Sequence, residues 1–195
     1  MTPSRDGPVS LVLAAGSARR FGGDKLSADF RGESLVLHAI RAARTAPVSR
    51  VIVVCGERLA VGEWPGSPPV ETLRIASDAL SASLQAGIAA ADGASGAFIF
   101  LGDMPLIPHD LAGKVAEALG ENFAAVPRHA GKNGHPVLLS ARAFPDIARL
   151  TGDEGAGRLL KQRGDVAFVD VEEETILLDV DRTEDLARLE SRQSR

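Results

Sequence analysis

The stretch "VSLVLAAGSARRFGGDK", Val9–Lys25, decides the fold. Its first part, Val9–Ala15, is short and nearly continuously apolar, the pattern of a strand buried on both faces. The rest turns abruptly to glycine and positive charge: Gly16, Arg19, Arg20, Gly22, Gly23 and Lys25. A buried strand that runs straight into such a loop suits an alternating α/β fold, in which ligands bind beyond the carboxyl ends of the strands.

Outward from there the alternation continues. Ser34–Ala46 has helical periodicity, with Leu35, Ile40 and Ala43 near one face and Ser34 placed to cap it. Arg50–Gly56 reads as a second buried strand. After the turn-rich Gly62–Val70 come a weaker strand, Val70–Ala76, and a small-residue helix, Ala79–Ala91. Ala97–Pro105 is the clearest strand and carries a Gly-Asp near its end; a helix follows at about 110–119. Parallel strands need crossovers of this kind, so the pattern predicts a mostly parallel central sheet covered by helices on both faces. The last third is less regular. "NFAAVPRH", "HPVLLS", "VAFVDV" and "TILLDV" read as short strands, and "GRLLKQRG" and "RTEDLARLESR" as helix pieces. This part is either an added lobe or an irregular edge of the same sheet. With no internal repeat and no long linker, a single domain over residues 1–195 is expected.

Composition narrows the function. The 195 residues suffice for one full core. Aromatics make up only 4% and the net charge is −4, which together argue against a nucleic-acid surface while leaving room for a local basic pocket. The single cysteine, Cys55, cannot form an intrachain disulfide and reads as a small buried hydrophobe. No CxxC pair suggests a zinc site. No run approaches the roughly 18 apolar residues of a membrane span, and the first residues do not read as a signal peptide. A cytoplasmic protein is expected.

The first loop can hold phosphate. Its glycines let backbone N–H groups approach a ligand, and Arg20 and Lys25 add donors and charge. The same composition also suits a solvated glycine turn; the position directly after the first buried strand favours phosphate. Two common phosphate loops are excluded. Gly16-Ser17-Ala18 breaks the G-x-G-x-x-G pattern, and the five residues between Gly16 and Gly22 break the Walker spacing. Asp103, in "FLGDMPLI", is a turn or capping residue in one reading and an Mg²⁺ ligand that bridges phosphates in the other; the basic loop favours the second. Asp179 and Asp181 flank Val180 and share a face if that segment is extended, so one of them can complete a metal site.

With these motifs in view, the chain resembles the MobA-like nucleotidyltransferases. Leu13–Lys25 is similar to that family's L-A-A-G-x-S-x-R-M-G-x-x-K loop, and "LGDMP" to its metal-binding aspartate motif. "GHPVLL" (Gly134–Leu139), "LTGDEGAGRLL" (Leu150–Leu160) and "DVDRTEDL" (Asp179–Leu186) resemble the molybdenum cofactor cytidylyltransferase branch. The resemblance implies a Rossmann-like three-layer α/β sandwich that moves CMP from CTP to a molybdopterin-type cofactor and releases pyrophosphate. It places Leu13, Ala14, Ala15, Gly16 and Gly22 on the nucleotide, Arg20 and Lys25 on its phosphates, and Mg²⁺ on Asp103 with Asp181 as the second acidic group. Ser81, Ser83 and Leu84 would lie on the base side, and His135 toward the second substrate. A molybdenum hydroxylase or its maturation factor is the implied recipient of the product. The chain departs from the pattern at Ala18, Phe21, Gly157 and Arg182-Thr183, and Ser77-Asp78 stands where the family has asparagine. The last change bears on base choice, because a carboxylate only accepts hydrogen bonds while an amide also donates. Guanylyl or other nucleotidyl transfer, and nucleotide binding without turnover, are the alternatives.

Overall fold

In the computed structural model, which describes residues 7–16, 21 and 23–191, the opening apolar run forms strand β1, Val9–Ala14, with all six residues buried. Alternation divides its side chains: Leu11 and Leu13 enter one hydrophobic layer, Val12 and Ala14 the other. Its polar residue, Ser10, donates its hydroxyl proton to the Ala43 carbonyl at 3.0 Å. A small hairpin follows, β2 (Asp29–Phe30) and β3 (Glu33–Ser34), turned through Arg31 and Gly32 at φ 57° and 86°. Then come α1 (Leu35–Arg44), β4 (Val51–Cys55), β5 (Val70–Arg74), α2 (Leu80–Ala90), β6 (Gly96–Leu101) and α3 (Leu111–Leu119). Ser34 occupies the N-cap position of α1, although its side chain makes no capping bond. The remaining elements are β7 (Ala124–His129), β8 (Lys132–Asn133), β9 (Val137–Ser140), α4 (Phe144–Ile147), α5 (Ala156–Leu160), β10 (Val166–Asp170) and α6 (Thr183–Glu190).

The main sheet has the order β10-β7-β9-β6-β1-β4-β5, with β8 paired to β7. β1 runs parallel to both of its neighbours, β4 and β6, and β4 runs parallel to β5. β9 lies antiparallel between β6 and β7, and β10 continues the sheet parallel to β7. The last third is therefore an extension of the same sheet. Residues of α1 and α3 cover one face, and residues of α2, α4 and α5 the other. This is the expected α/β sandwich with a mostly parallel centre.

The chain moves outward from β1 through β4 to β5, then crosses back to β6 on the other side of β1. Such a reversal opens a crevice beyond the strand ends, here at the carboxyl ends of β1 and β6. One local expectation is overturned. Thr175–Val180, read as a strand, is a 3-10 turn at Glu174–Leu177 followed by extended chain. Its apolar residues do not alternate between two sheet faces: Ile176 alone of the turn is buried, and its carbonyl accepts from His135 N at 3.1 Å. Among the described residues no helix is long and apolar enough to cross a membrane.

Candidate active site

The crevice is shaped by a close approach. Gly102 N donates to Leu13 O at 2.9 Å, which ties the end of β6 to the end of β1. A Cβ at Gly102 would lie 3.2 Å from both Leu13 O and the Ala14 Cβ, so a larger residue there would push the strands apart. The tie projects the next residue, Asp103, past the strand end. The Asp103 carbonyl then accepts from Val180 N at 3.0 Å, which draws the distant segment 179–181 to the same place. Val180 is fully buried with Phe30, Leu35 and Leu189, and this small apolar cluster fixes the two flanking aspartates.

Lys25 arrives from the first loop. It opens a 3-10 turn, Lys25–Ser27, whose N-cap Asp24 accepts from Ser27 Oγ at 2.5 Å, while Leu26 is buried as the anchor. Its Nζ lies 2.7 Å from Asp103 Oδ2 and 3.7 Å from Asp181 Oδ1, and the side chain is only 12% exposed. One oxygen from each of Asp103, Asp179 and Asp181 lies within 4.8 Å of the others. Three hard oxygen donors at this spacing fit Mg²⁺ or Mn²⁺. The Asp179 carboxyl is pushed above the usual carboxylate range, first by partial desolvation and then by the Asp103 charge.

Lys25, Asp103 and Asp181 open onto a cleft of about 730 Å³. Leu13, Ala14, Ala15, Gly16, Lys25, Ser83, Asp103 and Asp181, all singled out from the sequence, line it. Asp78, Ala79 and Leu80 line it as well, from the start of α2, together with Asp153. Among the described residues the lining carries four carboxylates and one ammonium. Arg20 and Gly22, also singled out, lie outside the described residues.

Three other singled-out residues lie beside the cleft. Ser81 is 4% exposed and its backbone N donates to Gly152 O at 3.1 Å, so it fastens the loop that carries Asp153. Leu84 and His135 line an adjoining apolar chamber of about 220 Å³, which shares Leu13, Leu80 and Leu101 with the cleft. His135 Nδ1 lies 3.2 Å from Ile99 O. A carbonyl only accepts, so Nδ1 carries the proton in the neutral ring. Burial pushes the His135 pKa below its ordinary value, against the smaller opposing effects of that hydrogen bond and the Asp103 charge.

Sequence reasoning missed Asp153 and chose Asp181 over Asp179, whereas the structure groups Asp179 and Asp181 together with Asp103. The signal for Asp153 is the Gly152-Asp153 pair after a turn, a smaller copy of Gly102-Asp103 without the strand in front of it.

Comparison with known proteins gives the geometry a context. The family described as "MobA-like NTP transferase domain" matches residues 10–166. The "Purine catabolism protein PucB" of Bacillus subtilis is 32% identical over 191 residues, covering 91% of this chain and 93% of that protein. A "Probable molybdenum cofactor guanylyltransferase" of Thermococcus kodakarensis is 28% identical over 199 residues, covering 93% of each. The crystal structure of Rv0371c from Mycobacterium tuberculosis superimposes with a TM-score of 0.83 at 25% identity, covering 96% of this chain and all of that one. Its manganese complex gives 0.79 at 25% identity, covering 95% and 99%.

Proposed function

Because the chain belongs to the MobA-like NTP transferase domain family, we propose that it moves CMP from CTP to the phosphate of a molybdopterin-type molybdenum cofactor and releases pyrophosphate. The observation that carries this reading is the meeting of Lys25 with Asp103 and Asp181 at the mouth of the β1–β6 crevice. It is a charged site suited to a triphosphate with its metal. The phosphate-lining role goes to Ala14, Ala15 and Gly16 together with Lys25 and Arg20. Asp103 holds Mg²⁺, with Asp179 and Asp181 beside it. The metal would offset negative charge on the phosphates.

In the reaction, a phosphate oxygen of the acceptor attacks the α-phosphorus of CTP. The bond from that phosphorus to the bridging oxygen breaks, and the electron pair leaves with pyrophosphate. The acceptor phosphate is already ionised near neutral pH, given a second pKa of about 6, so no strong side-chain base is needed. Lys25 and Arg20 stabilise charge that grows on the leaving group. The acceptor's body lies toward the apolar chamber, where the unprotonated Nε2 of His135 can accept a hydrogen bond from it. The product passes to a molybdenum hydroxylase or its maturation factor, in the cytoplasm.

CTP is preferred in this reading because the first loop reads "LAAG", which resembles the cytidylyl branch. The name of the Thermococcus relative favours a second reading, guanylyl transfer. Asp78 and Asp153 only accept hydrogen bonds, and both cytosine and guanine carry an amino group to donate; uracil has none. The test is pyrophosphate release from CTP, GTP, ATP and UTP, each with Mg²⁺ and the molybdenum cofactor. Cofactor-dependent release with CTP, at least about tenfold faster than with GTP, is expected. Release with GTP alone would establish the second reading, and no release with any nucleotide would refute an enzyme.

A further inference from the structure

We infer that Lys25 is a displaceable occupant of the cation position: a divalent ion entering the carboxylate group drives the ammonium toward the triphosphate, so metal and nucleotide bind as a coupled pair. This rests on the reading of the cleft as a metal–nucleotide site and adds a second role for a residue already placed on the phosphates.

Lys25 Nζ lies 2.7 Å from Asp103 Oδ2 and 3.7 Å from Asp181 Oδ1, among the oxygens that would hold the ion. The carboxylates of Asp103, Asp179 and Asp181 offer oxygens within 4.8 Å of one another. An ammonium and a divalent cation at that spacing repel strongly, so they do not share the group without loss. The ammonium also cannot leave without loss. Its side chain is 12% exposed, and the carboxylates replace much of its hydration. A metal ion alone therefore has to displace a cation that the carboxylates already hold closely. A triphosphate supplies a new partner for it, because Lys25 lines the same cleft as Ala15 and Gly16. The four-carbon stem of lysine lets its charge swing without moving the backbone. The arrangement admits metal with nucleotide in preference to metal alone, which limits capture of the wrong free ion.

The test measures Mn²⁺ binding to the full chain by the loss of the free-ion electron spin resonance signal, without nucleotide. Lys25→Met is expected to bind Mn²⁺ about tenfold more tightly than wild type, at the lower end of ordinary coupling between two ligands. With a non-hydrolysable CTP analogue present, that advantage should vanish. Unchanged or weaker Mn²⁺ binding in Lys25→Met, with Asp103→Asn still losing the ion, overturns the exchange and leaves the metal assignment standing. Full Mn²⁺ binding by Asp103→Asn overturns the metal assignment itself. A second measurement needs no variant. In wild type, Mn²⁺ alone should raise the labelling of Lys25 by an amine reagent, read by mass spectrometry, and adding the analogue should suppress it. Labelling that Mn²⁺ leaves unchanged contradicts the exchange.

Discussion

Two groups of side chains meet at the same cleft, and they are built differently. Lys25, Asp103, Asp179 and Asp181 come from three separated segments; the Lys25–Asp103 contact alone spans 78 positions. They are held by the strand ends and by the buried Val180 cluster. Asp78, Ala79, Leu80 and Ser83 come from one helix start, with Asp153 on a loop tied to that helix through Ser81. The first group needs the whole fold to exist and carries charge suited to phosphates and metal. The second depends on one turn of helix and a short loop, so it can vary without disturbing the first. In the proposed function the first group serves the chemistry and the second the choice of base.

The strongest way to break that contrast is Asp103→Asn. Transfer should fall by about 10²–10³-fold with every nucleotide, as expected for the loss of a group that stabilises developing charge. Thermal melting should stay close to wild type. A variant that kept its rate, or lost it with one nucleotide only, would merge the two groups. Gly134→Ala probes how the first group is held. A Cβ at Gly134 would lie 2.6 Å from the Ile176 carbonyl oxygen, a backbone atom that cannot swing aside. Urea unfolding should show a loss of about 1–3 kcal/mol. Transfer should fall too, because Ile176 leads directly to Asp179–Asp181.

Asp153→Asn sharpens the contrast from the other side. An amide donates as well as accepts, so discrimination between CTP and UTP should relax by about tenfold while the rate with CTP changes less. Steady-state kinetics with both nucleotides decide it. The smallest effect is a pH dependence. Burial holds His135 below its ordinary pKa of 6.5. As pH falls through that value, the unfolded chain takes up a proton that the folded chain refuses, so stability is lost. His135→Gln has no such proton. Its stability deficit against wild type, measured by urea unfolding, should therefore narrow between about pH 8 and pH 5.5.

Much of the first group was legible because buried parallel strands write themselves as unbroken apolar runs. Val9–Ala15, Arg50–Gly56 and Ala97–Pro105 marked β4 and the two strands whose ends carry the site, although β6 stops at Leu101 and the rest of its run is loop. The alternation of Asp179 and Asp181 about Val180 was also readable, since an extended chain puts both on one side. The partner of that segment was not readable. Its position depends on a carbonyl at Asp103 and on a 3-10 turn at Glu174–Leu177, and a short apolar run does not distinguish turn from strand. The antiparallel insertion of β9 between β6 and β7 was equally hidden, because pairing order leaves no local trace. In the second group, Ser81 and Ser83 were both placed on the nucleotide. Residues two apart on a helix point roughly 200° from each other, so the two hydroxyls leave the helix in different directions. Ser83 lines the cleft, while Ser81 is buried beside it and holds the neighbouring loop through its backbone N–H.

In the proposed function one cleft brings the triphosphate and its metal together between the first loop and the Asp103 carboxylate. A crystal structure of the full chain with Mn²⁺ and a non-hydrolysable CTP analogue tests it most directly. The expected result is an anomalous Mn²⁺ peak coordinated by Asp103, with the phosphates beside Lys25 and Gly16 and the base toward Asp78 and Asp153. A nucleotide seated outside the cleft, or a metal bound away from Asp103, would contradict it.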